Sequence, residues 1–345
     1  MTAVAGPRPS ALRRLGAHHP IATFALRRIA LGVLLVVAVS FLVFIATNLL
    51  PGDAAQAMLG NHGTAAQVQE VRHQLGLDRP LLTRYASWAV GMLHGDLGTS
   101  LTGGSSALSG GVSGRAVSSV ISEPVRNTLV LGLTAVVILV PLSLLLGVIA
   151  GIRPNGFLSN VVSGLTLAGL SVPDFVVATL LILFVAVDLH LLPPVSLLSP
   201  GDSPLAHPEI LVLPVAALLI VSVGFTTRQI RAGVVRALES EYVEMARLNG
   251  VAERTVVLRW ALRNALAPSI QTFAQIIQYL LGGVVLIEFV FGYPGIGAGF
   301  VQYVTARDLP TVQAVATLLA VVYIGINIVA DLLVVIVIPK LRTGQ

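Results

Sequence analysis

The chain has 345 residues, 55% of them hydrophobic and only 11% charged, with a mean hydropathy of +0.88. An ordinary soluble domain carries about 25% charged residues, so the composition excludes that class and makes a lipid bilayer the first partner to consider. The net charge is +5, but the cations are nearly all arginines set in short blocks beside apolar runs, a pattern of membrane topology that gives no sign of nucleic acid.

In chain order, a basic tail (1–28) leads into a first apolar run at 29–50. Its 22 residues exceed the roughly 7–15 of a signal-peptide core, so we expect a retained first span. Residues 51–126 form a long segment outside the bundle. Within it Thr64 and Gln67 have capping-box spacing, Val68, Val71 and Leu75 share one helical face, and Gly76 sits where a helix would stop. A second short helix is expected to start at Pro80, and Gly98 to Ser119 reads as a flexible Ser/Gly-rich insertion. A core at 127–345 follows, with spans at 127–151, 161–187, 209–226, 269–291 and 311–338, each near the 20 or so residues a bilayer requires. The expected fold class is an all-α membrane protein with six transmembrane helices.

Arginine placement orients the bundle. Fifteen of the 21 basic residues fall in the N-terminal tail, after span two, after span four and at the C-terminus, and five of the other six lie in one long segment where the rule has little force. Both termini are therefore expected to be cytoplasmic, in a multi-pass membrane protein.

The charged stretch 241–268, EYVEMARLNGVAERTVVLRWALRNALAP, stands out from its apolar surroundings. Tyr242, Met245 and Ala246 fall on one helical face and Glu241 and Glu244 on others, while Asn249-Gly250 supplies a left-handed stop. A second helix is expected from Glu253, with Val256, Val257 and Trp260 on one side and Arg254, Arg259 and Arg263 on another, until Pro268 returns the chain to the membrane. Periodicity alone allows either a lipid-facing surface hairpin or a docking element.

Several activities are excluded. A phosphate-binding P-loop needs a Gly-Lys-Ser/Thr ending, and the only lysine, Lys340, is followed by Leu341. No histidine opens an H-E-x-x-H, and with no cysteine there is neither a disulfide nor a thiolate site. Gly111-Val112-Ser113-Gly114 has the look of an intramembrane protease motif but lies outside any span.

The pattern from Tyr242-Val243 through Ala246-Arg247, Gly250 and Arg254 to Arg259, Arg263-Asn264-Ala265-Leu266 and Pro268 resembles the EAA loop of ABC-importer permeases. LLPGDAAQAMLG (49–60), VRHQLGLDRPLLTRY (71–85), GDLGTS (95–100), SVPDF (171–175) and FGYPGIG (291–297) extend the likeness over most of 25–343. Together they resemble the first permease of the pair in the dipeptide, oligopeptide and nickel family.

The resemblance implies a MetI-like, type I importer fold in which loop 227–268 couples the spans to a partner ATPase through Glu241, Tyr242, Glu244, Ala246, Arg247, Gly250 and Arg254. It implies a peptide substrate, or alternatively nickel or another small solute. The implied partners are a second homologous permease, two ABC ATPase domains and an external solute-binding protein. ATP and magnesium would be bound by the ATPases, leaving this chain with no cofactor and no catalysis of its own. An ion-driven transporter or membrane enzyme is the distant alternative. Ala252 and Ile338 depart from the family, which often has Ser and an acidic residue there, and the Ser/Gly-rich insertion is longer than usual.

Asp174, Glu288 and Asp331 lie in or beside spans, where an unpaired charge costs at least about 2.5–3.5 kcal/mol. Each either lines the translocation path, meeting a peptide ammonium, or is held structurally, Asp331 for example by Asn327. Gly147 and Gly151 form a G-x-x-x-G suited to close helix packing, within this subunit or at a dimer seam.

Overall fold

A computed structural model describes residues 20–49, 64–74, 78–100 and 115–337. Leu75, Gly76, most of LLPGDAAQAMLG, residues 111–114, Ile338 and Lys340 lie outside them. Among the described residues the chain is helical, with one isolated antiparallel bridge, Thr99 to Ala116. The helices are α1 (Pro20–Leu49), α2 (Ala65–Gln74), α3 (Leu81–Leu93), α4 (Val117–Ile152), α5 (Phe157–Leu170), α6 (Asp174–Leu181), α7 (Pro208–Leu238), α8 (Glu241–Leu248), α9 (Leu262–Phe291), α10 (Ile296–Thr305) and α11 (Leu309–Val337). Among the described residues five stretches are long and apolar enough to span a bilayer: Ala22–Leu49, Val117–Ile152, Pro208–Leu238, Gln271–Phe291 and Leu309–Leu333. A sixth span exists if α5 and α6 with its π-helical extension, Ile182–Asp188, count as one.

That sixth span corrects the continuous helix expected at 161–187, because α5 and α6 meet at a bend of 101°. Pro173 has no N–H to donate and disfavours helical backbone at Val172, so the ladder stops and restarts with Pro173 in an extended conformation, ψ 146°. Pro268 does the opposite of what the sequence suggested. The helical path runs from Glu253–Thr255 through a π turn at Val256–Ala261 into α9 without a break there, so the second hairpin helix and span five are one rod.

Span two also begins earlier than expected, at Val117, because Val117 and Ile121 are buried against Ile296, Ala314 and Val315. The apolar run starts only after Pro124, which hid those two anchors. Pro80 is the N-cap of α3 and not its first residue, accepting from the N–H groups of Thr83 and Arg84.

The centre of the molecule is α7, with 72% of its most apolar window buried against 17% in α1. It packs on α4, α5, α6 and α9, while α1 lies at the edge against α11. Small residues allow the closest approaches. A Cβ on Gly147 or Gly151 would stand 2.7 Å from the Cβ of Ile230 or Val234, so the G-x-x-x-G packs α4 on α7 inside this subunit.

Candidate functional site: the charged hairpin and the polar groups of the spans

The hairpin grows directly from α7. Ser240 adopts the extended conformation of an N-cap, its Oγ donates to Ala237 O, and its carbonyl accepts from the N–H groups of Val243 and Glu244. Glu241 and Glu244 in the first turn of α8 and Arg247 in the last complement the helix dipole. The helix ends in a full Schellman motif: Val251 N–H donates to Ala246 O at 3.1 Å and Gly250 N–H to Arg247 O at 3.0 Å, with Gly250 at φ +76°. No atom lies within 4 Å of where a Gly250 Cβ would be, so this position needs glycine for its backbone angle and not for close approach.

The inward face of α8 is Val243 and Ala246, both buried against Ile230, Val234, Ala237 and Val256. This corrects the grouping of Ala246 with Tyr242 and Met245. Those two, with Leu248, form an outward stripe that is 37%, 58% and 75% exposed, beside the exposed Glu241, Glu244, Arg247 and Arg254. Arg247 forks onto Glu253, Nη2 to Oε1 at 2.7 Å and Nε to Oε2 at 3.1 Å, and ties the two arms of the hairpin together. The hydrogen bond from Arg247 holds the Glu253 carboxyl below its ordinary range and raises the guanidinium in turn. Ala252, where a side-chain cap would sit, makes none.

The three acidic residues in or beside the spans meet three different fates. Asp174 opens α6, is buried, and accepts the Tyr279 hydroxyl at 2.9 Å on both oxygens. Glu288 is wholly buried and accepts from Thr128 Oγ1, from Gly297 N–H at 2.7 Å and from Ala298 N–H at 3.3 Å. It thereby caps α10, and Thr128 accepts from Ile296 N–H at 2.8 Å. Asn127 Nδ2 donates to Pro294 O at 2.9 Å and Tyr293 Oη to Asn127 O at 2.8 Å, so the FGYPGIG turn is fastened to α4. Asp331 pairs with Arg28 across α11 and α1 at 3.2 Å; its suggested partner Asn327 instead accepts from Gln278 Nε2 at 2.7 Å.

Two features escaped the sequence reading. Ser100 of GDLGTS donates to the buried Asp308, which also accepts from Thr311 Oγ1 at 2.8 Å, a link between segments 208 residues apart that no local pattern announces. The other is a polar cavity of about 250 Å³ between α7 and α9 at the hairpin end, lined by Gln229, Arg236, Ser269, Gln271, Thr272 and Gln275. Gln271 and Gln275 at i, i+4 were its one readable trace.

A membrane core built around one buried helix, with a capped charged hairpin at its end, is the setting in which the comparisons fall. The family model described as the binding-protein-dependent transport system inner membrane component matches residues 143–343, and the model of its N-terminal part matches 21–133. The chain belongs to this family. It is thus a permease component of an ABC importer, a transport subunit that works with ATPase and binding-protein partners.

This permease is 32% identical over 317 residues to a putative peptide transport system permease protein of Brucella abortus (strain 2308), covering 92% of this chain and 98% of that protein. It is 31% identical to a probable D,D-dipeptide transport system permease protein of Escherichia coli (strain K12), over 92% of this chain and 97% of that one. It is 30% identical to the metal-staphylopine import system permease protein of Staphylococcus aureus (strain Mu50), over 93% and 98%.

Proposed function

We propose that this permease carries peptides inward, that α8 is the element through which its ATPase drives it, and that both chain termini and α8 face the cytoplasm. The observation that carries the coupling role is the outward stripe Tyr242, Met245 and Leu248, an apolar face on an eight-residue helix whose other face is locked onto α7. An exposed apolar stripe rimmed by charge suits a protein groove. Because α8 follows α7 after a single turn, a displacement of α8 is delivered to the helix that touches most of the bundle.

ATP and magnesium sit on the ATPase pair, a second homologous permease completes the path, and the binding protein delivers the solute from outside. Asp174, whose one side-chain partner among the described residues is a neutral hydroxyl, is the group we assign to the ammonium of a passing peptide. Glu288 and Asp331 are held by capping and ion pairing, and act as structural groups.

Co-purification of the tagged chain tests the coupling role. Wild type should bring down a Walker-type ATPase, and Met245→Glu should lose it while the permease pair stays intact; unchanged ATPase recovery would overturn the assignment. The relative named for metal-staphylopine import supports a second reading, a metal complex as cargo. Competition between labelled peptide and labelled nickel uptake in the same vesicles separates the two.

A further inference from the structure

The cavity between α7 and α9 has a chemistry that the coupling role leaves unused. Among the described residues its lining offers three primary amides, two hydroxyls and one guanidinium, with no acidic side chain among them. Gln229 and Arg236 are two turns apart on one face of α7, and Gln271 and Gln275 are one turn apart on α9, so the polar strip runs about 10 Å into the span from the hairpin end. Arg236 is exposed and forms no ion pair among the described residues. Its place in the last turn of α7 suits the helix dipole, but that explains neither the facing glutamines nor the hollow between them. A guanidinium is a planar fork matched to a carboxylate, and amides both donate to and accept from another amide. The volume corresponds to about eight waters at liquid density, enough for the end of a short peptide.

We propose that this cavity is a carboxylate-binding site at the inward mouth of the translocation path, holding the C-terminal carboxylate of the solute on Arg236 and its last amides on Gln271 and Gln275. The anion site itself stands on the cavity; only the identity of the carboxylate rests on the import reading. An oxyanion from a lipid headgroup has related chemistry, but a phosphate needs donors alone and leaves the amide oxygens of the three glutamines unused.

Because the chain has no cysteine, a single thiol placed at the site gives a clean probe. In the complete importer in nanodiscs of zwitterionic lipid, a Gln275→Cys variant is labelled on this chain with an anionic sulfonate and a cationic ammonium thiosulfonate reagent. The anion-to-cation rate ratio should fall at least about tenfold when Arg236→Gln is added and recover with Arg236→Lys. Trialanine should protect the thiol and its C-terminal amide should protect it much less. The same series on Gln271→Cys provides a second position if the first variant fails to assemble. An unchanged rate ratio, equal protection by acid and amide, or protection by anionic lipid in place of trialanine would each overturn the proposal. Loss of peptide uptake by the wild-type complex with the labelling pattern intact would instead remove the import reading and leave the anion site standing.

Discussion

At the scale of single residues, burial decides what a charge is for. Glu288 sits with no exposed surface and holds the two amide N–H groups that start α10 together with the Thr128 hydroxyl. Removing it leaves the Gly297 N–H buried and unpaired, at about 1–3 kcal/mol before relaxation, and takes the acceptor from the part-buried Ala298 N–H and Thr128 hydroxyl as well. Glu288→Ala should therefore lower the melting temperature of the detergent-solubilised complex by several degrees, whereas Glu288→Gln, which keeps an acceptor oxygen, should lose markedly less. Equal losses would show that shape and not acceptance holds the turn. The Arg247–Glu253 fork is the opposite case, at 42% and 61% side-chain exposure. The lowered Glu253 pKa means its stabilisation is present above the ordinary glutamate value of about 4.3 and is lost as pH falls through the lower folded value. Solvent screening keeps it under about 1 kcal/mol, so Glu253→Gln should cost little and less still in high salt, as thermal melts at two ionic strengths would show.

At the scale of elements, glycine identity separates two physical needs. Gly250 is needed for φ +76°, where an L-residue costs about 1–2 kcal/mol and a β-branched one more. Gly250→Val should uncouple ATP hydrolysis from uptake while Gly250→Asn keeps much of it, since asparagine tolerates the left-handed region. Gly147 is needed for space: Gly147→Val should disrupt the α4–α7 packing, while Gly132→Ala, with nothing within 4 Å of its Cβ, should be near neutral in folded yield. Much of this level was legible in the sequence, because spans, caps and small-residue spacings are local patterns. The facing of α8 was not. Its two stripes, Tyr242-Met245-Leu248 and Val243-Ala246, are both apolar, so apolarity alone does not distinguish the buried stripe from the exposed one. The 101° break between α5 and α6 was half legible, since Pro173 announces an interrupted ladder but not its angle.

At the scale of the molecule, contacts between distant segments close the fold, and these are what a one-dimensional reading cannot find. Ser100 N–H donates to Arg115 O at 2.8 Å, Val117 N–H to Gly98 O at 2.9 Å, and the Ser100 hydroxyl reaches the buried Asp308 at the head of α11. The described ends of the Ser/Gly-rich insertion, 98–100 and 115–119, are therefore a bridge and a helix start, which corrects the expectation of flexibility across 98–119. Because residues 100 and 115 are paired neighbours, the length of chain between them does not set the position of anything else, and loop length alone adds little closure entropy. Replacing 101–114 by Asn-Gly, a pair suited to a two-residue antiparallel turn, should leave the melting temperature and the ATPase activity of the complex unchanged. Asp308→Ala, a few ångströms away, should do the reverse, because it removes the carboxylate that accepts from the buried Ser100 and Thr311 hydroxyls and uncaps α11. If the shortened loop kept a stable ATPase complex but lost uptake, the insertion would be acting on the binding protein and not on the fold.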